Sequence, residues 1–454
     1  MDIETDVLVI GGGMAGLVAG ITAAQAGSDT IVVRKGLGAT ADSSGAIDIA
    51  GYLPGGETPF ISPVEGLAAF SSLLPFHPYT ALGHSESGET DFERIVDTAR
   101  ESVHWLKDTL DGTSASLVGT LDSNIGGLSV IGTWKPTCLL QSTMYTERLG
   151  NEDEVLLFAG ISGMPSFIPS AAAKSFIDLV MDSGIGPRKV VHTLIEGFSV
   201  SKQPNLSGME VARFIESDKG LSDFAKLLKE QIGKVDATLV ALPPVLGAKN
   251  PQSVKKYLER ETGVEVFELI SFPPSVPGYR LQRSLETALK KAGGKLMVGY
   301  DASKFVKDEL NIITIALDGP RRFIQVEPKS VVLATGKFIG GGIASGRESL
   351  EEPLFGLPVL NSERIPVKDT RPQRMTKVTS VQSEGHSVFE CGLGFDSRFR
   401  PTDSNGATYS TNLYVAGSVL CGYNYHVEKS GLGVALATGR VVGRFASESA
   451  KEVS

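Results

Sequence analysis

Three glycines near the start of the chain, Gly11, Gly13 and Gly16, have the spacing G-x-G-x-x-G. They follow the β-branched run at residues 7–10 and precede a run of small residues that is typical of a helix. In such a strand–turn–helix unit, the first glycine permits the turn, the second lets the backbone approach a phosphate, and the third lets the helix pack on the strand. The helix N-terminus then presents free N–H groups to an anion.

A second predicted strand, at residues 29–33, completes the spacing of a βαβ unit. This context matters because glycine is common in the chain, at 52 of 454 residues. We therefore predict that the three glycines, together with Met14 and Ala15 at the helix start, bind a nucleotide. The alternative is a glycine-rich turn that only packs.

Small polar residues follow the second strand at Ser43, Ser44 and Gly45. Small side chains let the backbone and hydroxyl groups reach a planar ligand, so we expect this segment to contact one. The alternative is a solvent-exposed loop.

Two apolar strands and one helix start in the second half of the chain extend this pattern. The predicted strands end at Thr335 and at Ala416, and a small-residue helix begins near Ser430. We expect the first of these strands to join the N-terminal sheet, and the helix to present a second free N-terminus. The predicted ligand contacts of these segments are Thr335, Gly336, Gly417, Ser418, Gly431, Leu432 and Gly433.

Composition restricts the classes of function. The net charge of −9 gives no nucleic-acid-binding character, and the length suggests two or three domains. The three cysteines, Cys138, Cys391 and Cys421, lack C-x-x-C or other cluster spacing, so we predict no metal site, no iron–sulfur site and no disulfide framework. No apolar run reaches the roughly 18–20 residues that span a bilayer, and no basic segment suggests a signal peptide.

Strand and helix patterns alternate in the middle of the chain. Strands are predicted at residues 155–161, 189–198, 236–242 and 264–271, with helical stretches between them. This alternation predicts a second, mainly parallel α/β unit.

Three segments together resemble the flavoproteins that carry two dinucleotide-binding motifs: V-I-G-G-G-x-A-G-L, V-V-L-A-T-G, and N-L-Y-V-A-G-S with S-G-L-G-x-A-L-A-T-G-R. Within that superfamily the chain most resembles the B subunits of anaerobic glycerol-3-phosphate dehydrogenases. V-R-K-G at residues 33–36, P-P-S-V at 273–276 and F-R-P at 399–401 are among the segments that carry the resemblance. It spans nearly the whole chain and is looser over the middle unit.

The resemblance implies a flavin subunit of an enzyme that oxidises glycerol 3-phosphate to dihydroxyacetone phosphate and passes electrons to membrane quinone. It also implies two partners, an A subunit that carries flavin and a membrane-attached iron–sulfur C subunit, and a cytoplasmic location at the inner face of the cell membrane through a partner. Two alternatives remain open. One is a stand-alone flavoenzyme of the fumarate reductase or succinate dehydrogenase type, and the other is a non-catalytic flavin relay within a complex.

The expected fold is α/β: a Rossmann-like flavin-binding domain, split in sequence, with an inserted α/β second domain. Residues 1–88, 277–346 and 405–454 are predicted to form the flavin-binding domain. Residues 89–276 would form the inserted helical and α/β domain, and residues 347–404 a connecting or capping segment.

The residues after the second strand bear on which flavin binds. Motifs of this kind usually place an acidic residue there to accept hydrogen bonds from the adenosine ribose, but this chain has Arg34 and Lys35. A guanidinium has no acceptor, yet it can bind a terminal phosphate bidentately. The sequence therefore favours FMN. The alternative is that Arg34 points to solvent or stacks on adenine and that FAD binds.

Removal of a hydride from a secondary alcohol needs a base near the carbinol and cations for the phosphate. His426, between the two C-terminal motifs, is the candidate base, and Arg347, after a glycine run, is the candidate phosphate ligand. A structural role is the alternative for each. The chain departs from the bacterial pattern at Tyr425, His426 and Ser430, so the resemblance does not assign a role to His426.

Overall fold

The structure is a computed structural model that describes residues 2–84, 90–198, 205–320, 322–346, 348–379 and 382–453. The strands, in chain order, are β1 (Asp2–Ile10), β2 (Thr30–Arg34), β3 (Leu117–Val118), β4 (Gly127–Leu128), β5 (Trp134–Lys135), β6 (Leu140–Gln141), β7 (Val155–Ile161), β8 (Lys189–Ile195), β9 (Leu239–Leu242), β10 (Glu265–Glu268), β11 (Lys295–Val298), β12 (Asp301–Lys307), β13 (Ile312–Asp318), β14 (Phe323–Leu333), β15 (Ala344–Ser345), β16 (Leu350–Glu351), β17 (Val359–Leu360), β18 (Gly392–Leu393) and β19 (Leu413–Val415).

The helices lie between these strands and close the chain. In order they are α1 (Met14–Gln25), α2 (Ala39–Asp42), α3 (Pro63–Leu73), α4 (Pro78–Leu82), α5 (Phe92–Leu110), α6 (Pro169–Ser183), α7 (Gly208–Ile215), α8 (Asp218–Val235), α9 (Pro251–Thr262), α10 (Val276–Lys291), α11 (Pro372–Met375), α12 (Tyr425–Glu428) and α13 (Gly431–Glu452).

The larger sheet gathers strands from three distant parts of the sequence. Its order is β11-β2-β1-β14-β13-β12, and β19 pairs with the C-terminal half of β14. The strands β11, β2, β1, β14 and β19 run parallel to one another. The strand β13 is antiparallel to both of its neighbours, β12 and the first half of β14. Ile10 faces Leu333 in register, which confirms the prediction that this late apolar strand joins the N-terminal sheet.

Small residues bring α13 against α1. A Cβ atom added at Gly439 would lie 2.6 Å from the carbonyl O of Ala15, and one added at Gly443 would lie 2.5 Å from that of Ala19. Glycine at these positions therefore permits a close helix–helix approach. As a consequence, the C-terminal segments meet the N-terminal βαβ unit.

The second sheet has the order β10-β9-β7-β8 and is parallel throughout. All seven residues of β7 are buried, because helices cover both faces of the sheet. Alternate residues of β7 therefore enter two apolar cores, Leu157 on one face and Phe158 on the other. The predicted inserted α/β unit is confirmed.

A buried ion pair joins the second sheet to α10. The guanidinium of Arg280 donates to both carboxylate oxygens of Glu268, at 2.6 and 2.8 Å, and to the carbonyl O of Gly247 at 2.7 Å. Burial alone would raise the pKa of Glu268, but Arg280 and the hydrogen bonds to the carboxylate hold that pKa below its ordinary value. This pair fixes the start of α10 relative to the inserted unit.

Membrane-spanning helices and metal clusters are both absent from the described ranges. No helix there has the length and apolar character needed to cross a bilayer. The same ranges hold no group of three or more His, Cys, Asp or Glu side chains placed to bind a metal ion.

Candidate functional site

The turn between β1 and α1 requires glycine at two of its three motif positions. Gly11 has a φ of 118°, and a Cβ there would overlap the carbonyl group of Ala334 at the end of β14. A Cβ on Gly16 would overlap the carbonyl O of Gly11. At Gly13, by contrast, an added Cβ would meet only the hydroxyl of Thr40 within 4 Å, at 3.3 Å. The turn is therefore least crowded at the position where the motif brings its backbone to a phosphate.

The start of α1 lacks a side-chain cap from its own N-cap residue, Gly13. The N–H of Met14 donates instead to the hydroxyl of Thr40 on α2, at 2.8 Å. This N–H, one of the predicted ligand contacts, is therefore already bonded to a hydroxyl of the chain itself, and an anion would meet the N–H groups of Ala15 and Gly16 instead.

Three remote segments meet beside this turn. A Cβ on Gly417, whose φ is 79°, would lie 2.6 Å from Cβ of Ala15, and one on Gly336 would lie 3.6 Å from Oγ of Ser418. The N–H of Gly417 donates to the hydroxyl of Thr438 on α13, at 3.0 Å. The structure therefore brings together the predicted residues of the first turn, the end of β14 and the end of β19.

The start of α13 is also free of a side-chain cap. Its N-cap residue, Ser430, donates its hydroxyl to Oε2 of Glu428 at 2.7 Å, so this hydroxyl does not cap the helix. The N–H of Gly433 donates to the carbonyl O of Asp48 at 3.0 Å. A Cβ on Gly433 would overlap the hydroxyl of Tyr79. The first turn of α13 therefore lies against the segment that follows α2.

The hydroxyl of Tyr79 is a second donor at this place. It is buried and has no hydrogen-bond partner among the described residues. Burial raises the pKa of Tyr79 well above its ordinary value, so the hydroxyl stays protonated. An unpartnered donor beside an uncapped helix start suits a ligand group that carries negative charge.

The predicted contact segment Ser43–Gly45 is packed rather than free. Gly45 has a φ of 76°, and a Cβ there would lie 2.6 Å from Nε2 of Gln141 and 2.6 Å from Cβ of Pro277. The hydroxyl of Ser43 donates to the carbonyl O of Thr40 at 2.8 Å. The N–H of Ala46 donates to the hydroxyl of Ser44 at 3.4 Å. The segment thus lies between α2 and the start of α10, next to the glycine turn.

Arg34 and Lys35 lie in different surroundings. The side chain of Arg34 is 9% exposed and forms an ion pair with Glu286 on α10, at 2.8 Å between Nη2 and Oε1. Lys35 is exposed and pairs with Asp301 on β12, at 2.7 Å. The structure therefore places Arg34 at the turn, with a carboxylate partner from its own chain, and directs Lys35 to the surface.

A buried polar cluster lies before α13, and sequence reasoning missed it. His77 and Glu428 form its centre, with 3.1 Å between Nε2 and Oε2. Oε1 of Glu428 accepts the N–H of Asn424 at 2.6 Å. The imidazole of His77 stacks between the rings of Phe70 and Tyr79. In the sequence, His77 and Glu428 carry no motif spacing that would have paired them.

Lys337, directly after the predicted contacts Thr335 and Gly336, is the other missed residue. Its side chain is buried, and Nζ donates to the carbonyl O of Phe389 and lies 5.3 Å from the ring centre of Tyr423. Burial lowers the pKa of Lys337 to about 8. The available signal was a lysine that follows an apolar strand at its carboxyl end, where parallel sheets carry their ligands.

His426 and Arg347 were the two predicted catalytic residues. The ring of His426 lies 4.0 Å from that of Phe389 and 4.3 Å from that of Tyr425, centre to centre, and the residue is exposed to solvent. Lost hydration lowers the pKa of His426 to about 4, and the positive charge of nearby Lys429 adds to this effect. The imidazole is therefore neutral at physiological pH. Arg347 lies outside the described residues.

The residues at this edge of the sheet fit a flavin. Glycines form the turn between β1 and α1, the start of α13 has no side-chain cap, and the buried hydroxyls of Thr335 and Tyr79 lack partners within the described part of the chain. Each of these groups donates hydrogen bonds or provides room for a ligand, as nucleotide phosphates and an electron-rich ring require.

A separate cavity of about 480 Å³ lies between α5 and α13 and contains none of the predicted site residues. Its charged lining is mainly acidic: Asp91, Glu93, Asp97, Glu101 and Glu448, against Arg94 and Arg444. This excess of carboxylates does not suit a phosphorylated substrate.

Comparison with known proteins places these features in a family. A family model described as an FAD binding domain matches residues 6–434. The B subunit of a probable anaerobic glycerol-3-phosphate dehydrogenase from Halobacterium salinarum is 30% identical over 452 residues, which cover 99% of each chain. The B subunit of the anaerobic glycerol-3-phosphate dehydrogenase of Vibrio vulnificus is 29% identical over 438 residues, covering 95% of this chain and 94% of the relative.

Solved structures give more distant matches. An open conformation of a flavocytochrome c3 fumarate reductase is 11% identical, with a TM-score of 0.43 over 99% of this chain and 79% of that one. The quinol fumarate reductase of E. coli is 10% identical, with a TM-score of 0.39 over 100% of this chain and 72% of that one.

These findings do not support the predicted preference for FMN. The matched family model is one for FAD. Binding of a terminal phosphate by Arg34 needs a free guanidinium, and Arg34 is paired with Glu286 instead.

Proposed function

The chain belongs to the anaerobic glycerol-3-phosphate dehydrogenase B subunits, within the family of FAD-binding domains, and we propose that it is the flavoprotein subunit of such a dehydrogenase. The near full-length similarity to relatives of that name carries the proposal. FAD is the proposed cofactor, held by the predicted contacts around the glycine turn, the end of β14 and the start of α13.

The proposed reaction is the oxidation of glycerol 3-phosphate to dihydroxyacetone phosphate. The C2–H bond breaks, its hydride leaves carbon with two electrons, and the hydroxyl proton passes to a base. Bound FAD would accept the hydride. The N–H groups of Gly431 and Leu432 at the start of α13, and the hydroxyl of Tyr79, would stabilise negative charge beside them.

His426 remains the proposed base, because a neutral imidazole can accept the hydroxyl proton. Lys337 is a further candidate, since its lowered pKa of about 8 makes the neutral amine accessible near physiological pH. Arg347 remains the proposed phosphate ligand, on the sequence argument of a cation after a glycine run.

The assembly is also a proposal. Electrons would pass to a membrane-attached iron–sulfur partner, the C subunit, and then to quinone, with a second flavin protein, the A subunit, completing the enzyme. The names of the relatives support a complex of several subunits. Attachment to the inner face of the cell membrane through a partner follows from the same resemblance. We propose the division into domains that the sequence suggested, with residues 89–276 inserted into the flavin-binding domain.

Anaerobic addition of glycerol 3-phosphate to the isolated holoprotein tests the function, with the visible absorbance of the flavin as the signal. We expect bleaching by glycerol 3-phosphate and none by its mirror-image isomer or by succinate. Bleaching by succinate, or reoxidation by fumarate, would instead favour a fumarate reductase type of enzyme. Bleaching that occurs only after the A subunit is added would make the chain an electron relay.

A further inference from the structure

Glu286 occupies an unusual position for a buried carboxylate. It lies on α10, which precedes β11, yet its Oε1 is 2.8 Å from Nη2 of Arg34 at the carboxyl end of β2. Its side chain is 3% exposed. Dinucleotide-binding motifs usually carry an acidic residue at the end of β2 itself, where it accepts the ribose hydroxyls. Here the charges are exchanged, because the strand carries the cation and the helix supplies the carboxylate.

The surrounding hydrogen bonds tie Glu286 to the glycine turn. Nε2 of Gln282, one turn earlier on α10, donates to the carbonyl O of Gly12 at 2.8 Å and to Oε1 of Glu286 at 2.9 Å. A Cβ on Gly12 would lie 2.6 Å from Cδ of Arg34, so the stem of this arginine crosses the turn. The side chain of Gln282 therefore links Glu286 directly to the backbone of the glycine turn.

Two polar atoms in this group are left without partners. Oε1 of Gln282 and Nε of Arg34 are buried and make no hydrogen bond among the described residues. Because Nε2 of Gln282 already donates twice, its amide orientation is fixed and Oε1 remains an acceptor. Gln282 is fully buried, so an acceptor without a partner at this place is costly unless a ligand satisfies it.

Glu286 also retains capacity to accept. A carboxylate has about four acceptor positions. Oε1 faces Arg34 and accepts from Gln282, and Oε2 accepts from Nη1 of Arg283 at 2.5 Å. The side chain of Arg283 is 53% exposed, so a ligand hydroxyl can displace it into water without leaving a buried charge unpaired.

We propose that Glu286, on α10, accepts the hydroxyl protons of the adenosine ribose of FAD, with Gln282 as a second acceptor and Arg34 holding the carboxylate in place. The recognised chemical class is an adenosine diphosphate group, so the site distinguishes FAD from FMN. The inference depends on the proposed FAD cofactor but not on the proposed substrate.

Binding titrations of the flavin-free full chain test this without any turnover. FAD and FMN are titrated separately by quenching of flavin fluorescence, and ADP is added as a competitor. For Glu286→Gln we expect the affinity for FAD to fall by about tenfold or more, as loss of a charged hydrogen-bond acceptor implies, while the affinity for FMN stays unchanged. Competition by ADP should weaken in parallel.

Two further variants separate recognition from simple loss of a buried ion pair. Glu154→Gln removes a carboxylate that is equally buried and paired with Arg148 in the inserted unit, and should change neither affinity. The double exchange Arg34→Glu with Glu286→Arg keeps the ion pair and returns the acidic residue to the strand, so it should restore FAD binding relative to Glu286→Gln.

The inference is overturned if Glu286→Gln weakens FAD and FMN by the same factor or leaves FAD binding intact. It is overturned as well if the wild-type chain binds FMN but not FAD, a result that would leave the bleaching test of glycerol 3-phosphate oxidation unaffected. Should Glu286→Gln fail to fold, the double exchange decides, because a folded double variant without a preference for FAD contradicts the proposal.

Discussion

His77 and Glu428 are 351 residues apart in the sequence, yet Nε2 of one lies 3.1 Å from Oε2 of the other, and both side chains are closed to solvent. The same carboxylate accepts the hydroxyl of Ser430, the N-cap residue of α13, and the backbone N–H of Asn424. One buried side chain therefore joins the segment before α4 to the start of α13. This link sets where the uncapped end of α13 lies relative to the predicted flavin contacts.

Replacement of this carboxylate should be strongly destabilising. Glu428→Leu preserves side-chain volume but leaves three buried donors, on His77, Ser430 and Asn424, without an acceptor. Leaving a buried donor without an acceptor typically costs about 1–3 kcal/mol, so with three such donors we expect the free energy of unfolding measured in urea to fall by roughly 3 kcal/mol or more.

An exposed ion pair gives the matched control. Lys295 and Asp29 lie 3.0 Å apart with both side chains largely in water, so Lys295→Gln should change the free energy of unfolding by less than about 1 kcal/mol. Similar small effects for Lys295→Gln and Glu428→Leu would show that the buried cluster does not stabilise the start of α13.

The first turn of α13 should tolerate no added methyl group. In Gly433→Ala, the new Cβ would overlap the hydroxyl of Tyr79 and lie 2.5 Å from the carbonyl O of Asp48. We expect about 1–3 kcal/mol of destabilisation and a lower flavin content in purified protein, because the helix start must move away from its neighbours. Flavin released on heating, divided by protein concentration, measures the content.

Gly233→Ala is the comparison for this helix glycine. Gly233 lies in α8, and a Cβ there meets nothing within 4 Å. Alanine should therefore stabilise the fold by about 0.5–1 kcal/mol through helix propensity and leave the flavin content unchanged. A normal flavin content in Gly433→Ala would contradict the proposed place of this turn beside the flavin.

The lowered pKa of His426 predicts how the rate depends on pH. A base works only when unprotonated, so the acidic limb of kcat/KM for glycerol 3-phosphate should lie well below the ordinary histidine pKa of 6.5. Replacement of His426 by Gln should lower kcat by about 10²–10⁴-fold, the usual contribution of a general base. An acidic limb near 6.5, or full activity of the variant at normal flavin content, would remove His426 from the chemistry.

Local patterns predicted most of the fold. The β-branched run before the glycines, the late strand that ends at Thr335, and the alternation of β7–β10 with helices each follow from periodicity within a short window. The predicted strand at residues 189–198 was longer than the observed β8, Lys189–Ile195. Hydrophobic pattern locates a strand better than it locates the strand's end.

Long-range pairings were beyond this kind of reasoning. The interpretation of Arg34 as a phosphate ligand depended on its neighbours in sequence, whereas Glu286, its partner, lies on a helix far along the chain. His77 was overlooked for the same reason, since neither it nor Glu428 belongs to a motif. Side chains without a motif acquire partners only through the tertiary fold, and those partners decide their charge state.

Lys337 gives the last prediction, which concerns stability. Its pKa falls from 10.5 to about 8 because the amine is buried beneath Tyr423 and Tyr425, although the acidic groups Cys391, Cys421, Glu428 and Glu390 partly oppose this effect. Below about pH 8 both folded and unfolded chains hold the proton, so the folded state carries the full cost of a buried ammonium. Between about pH 8 and 10.5 the folded chain has released the proton while the unfolded chain still binds it.

The unfolded state therefore binds more protons across that interval, and the contribution of Lys337 to stability must rise with pH. We expect the free energy of unfolding of the wild type, relative to Lys337→Met, to increase by roughly 2–3 kcal/mol between about pH 7.5 and 10. Each unit by which the pKa values of the folded and unfolded states differ corresponds to about 1.4 kcal/mol. Lys295→Met, at an exposed lysine, should show no such trend. A difference between wild type and Lys337→Met that stays constant over this range would mean that the Lys337 amine titrates as it does in water.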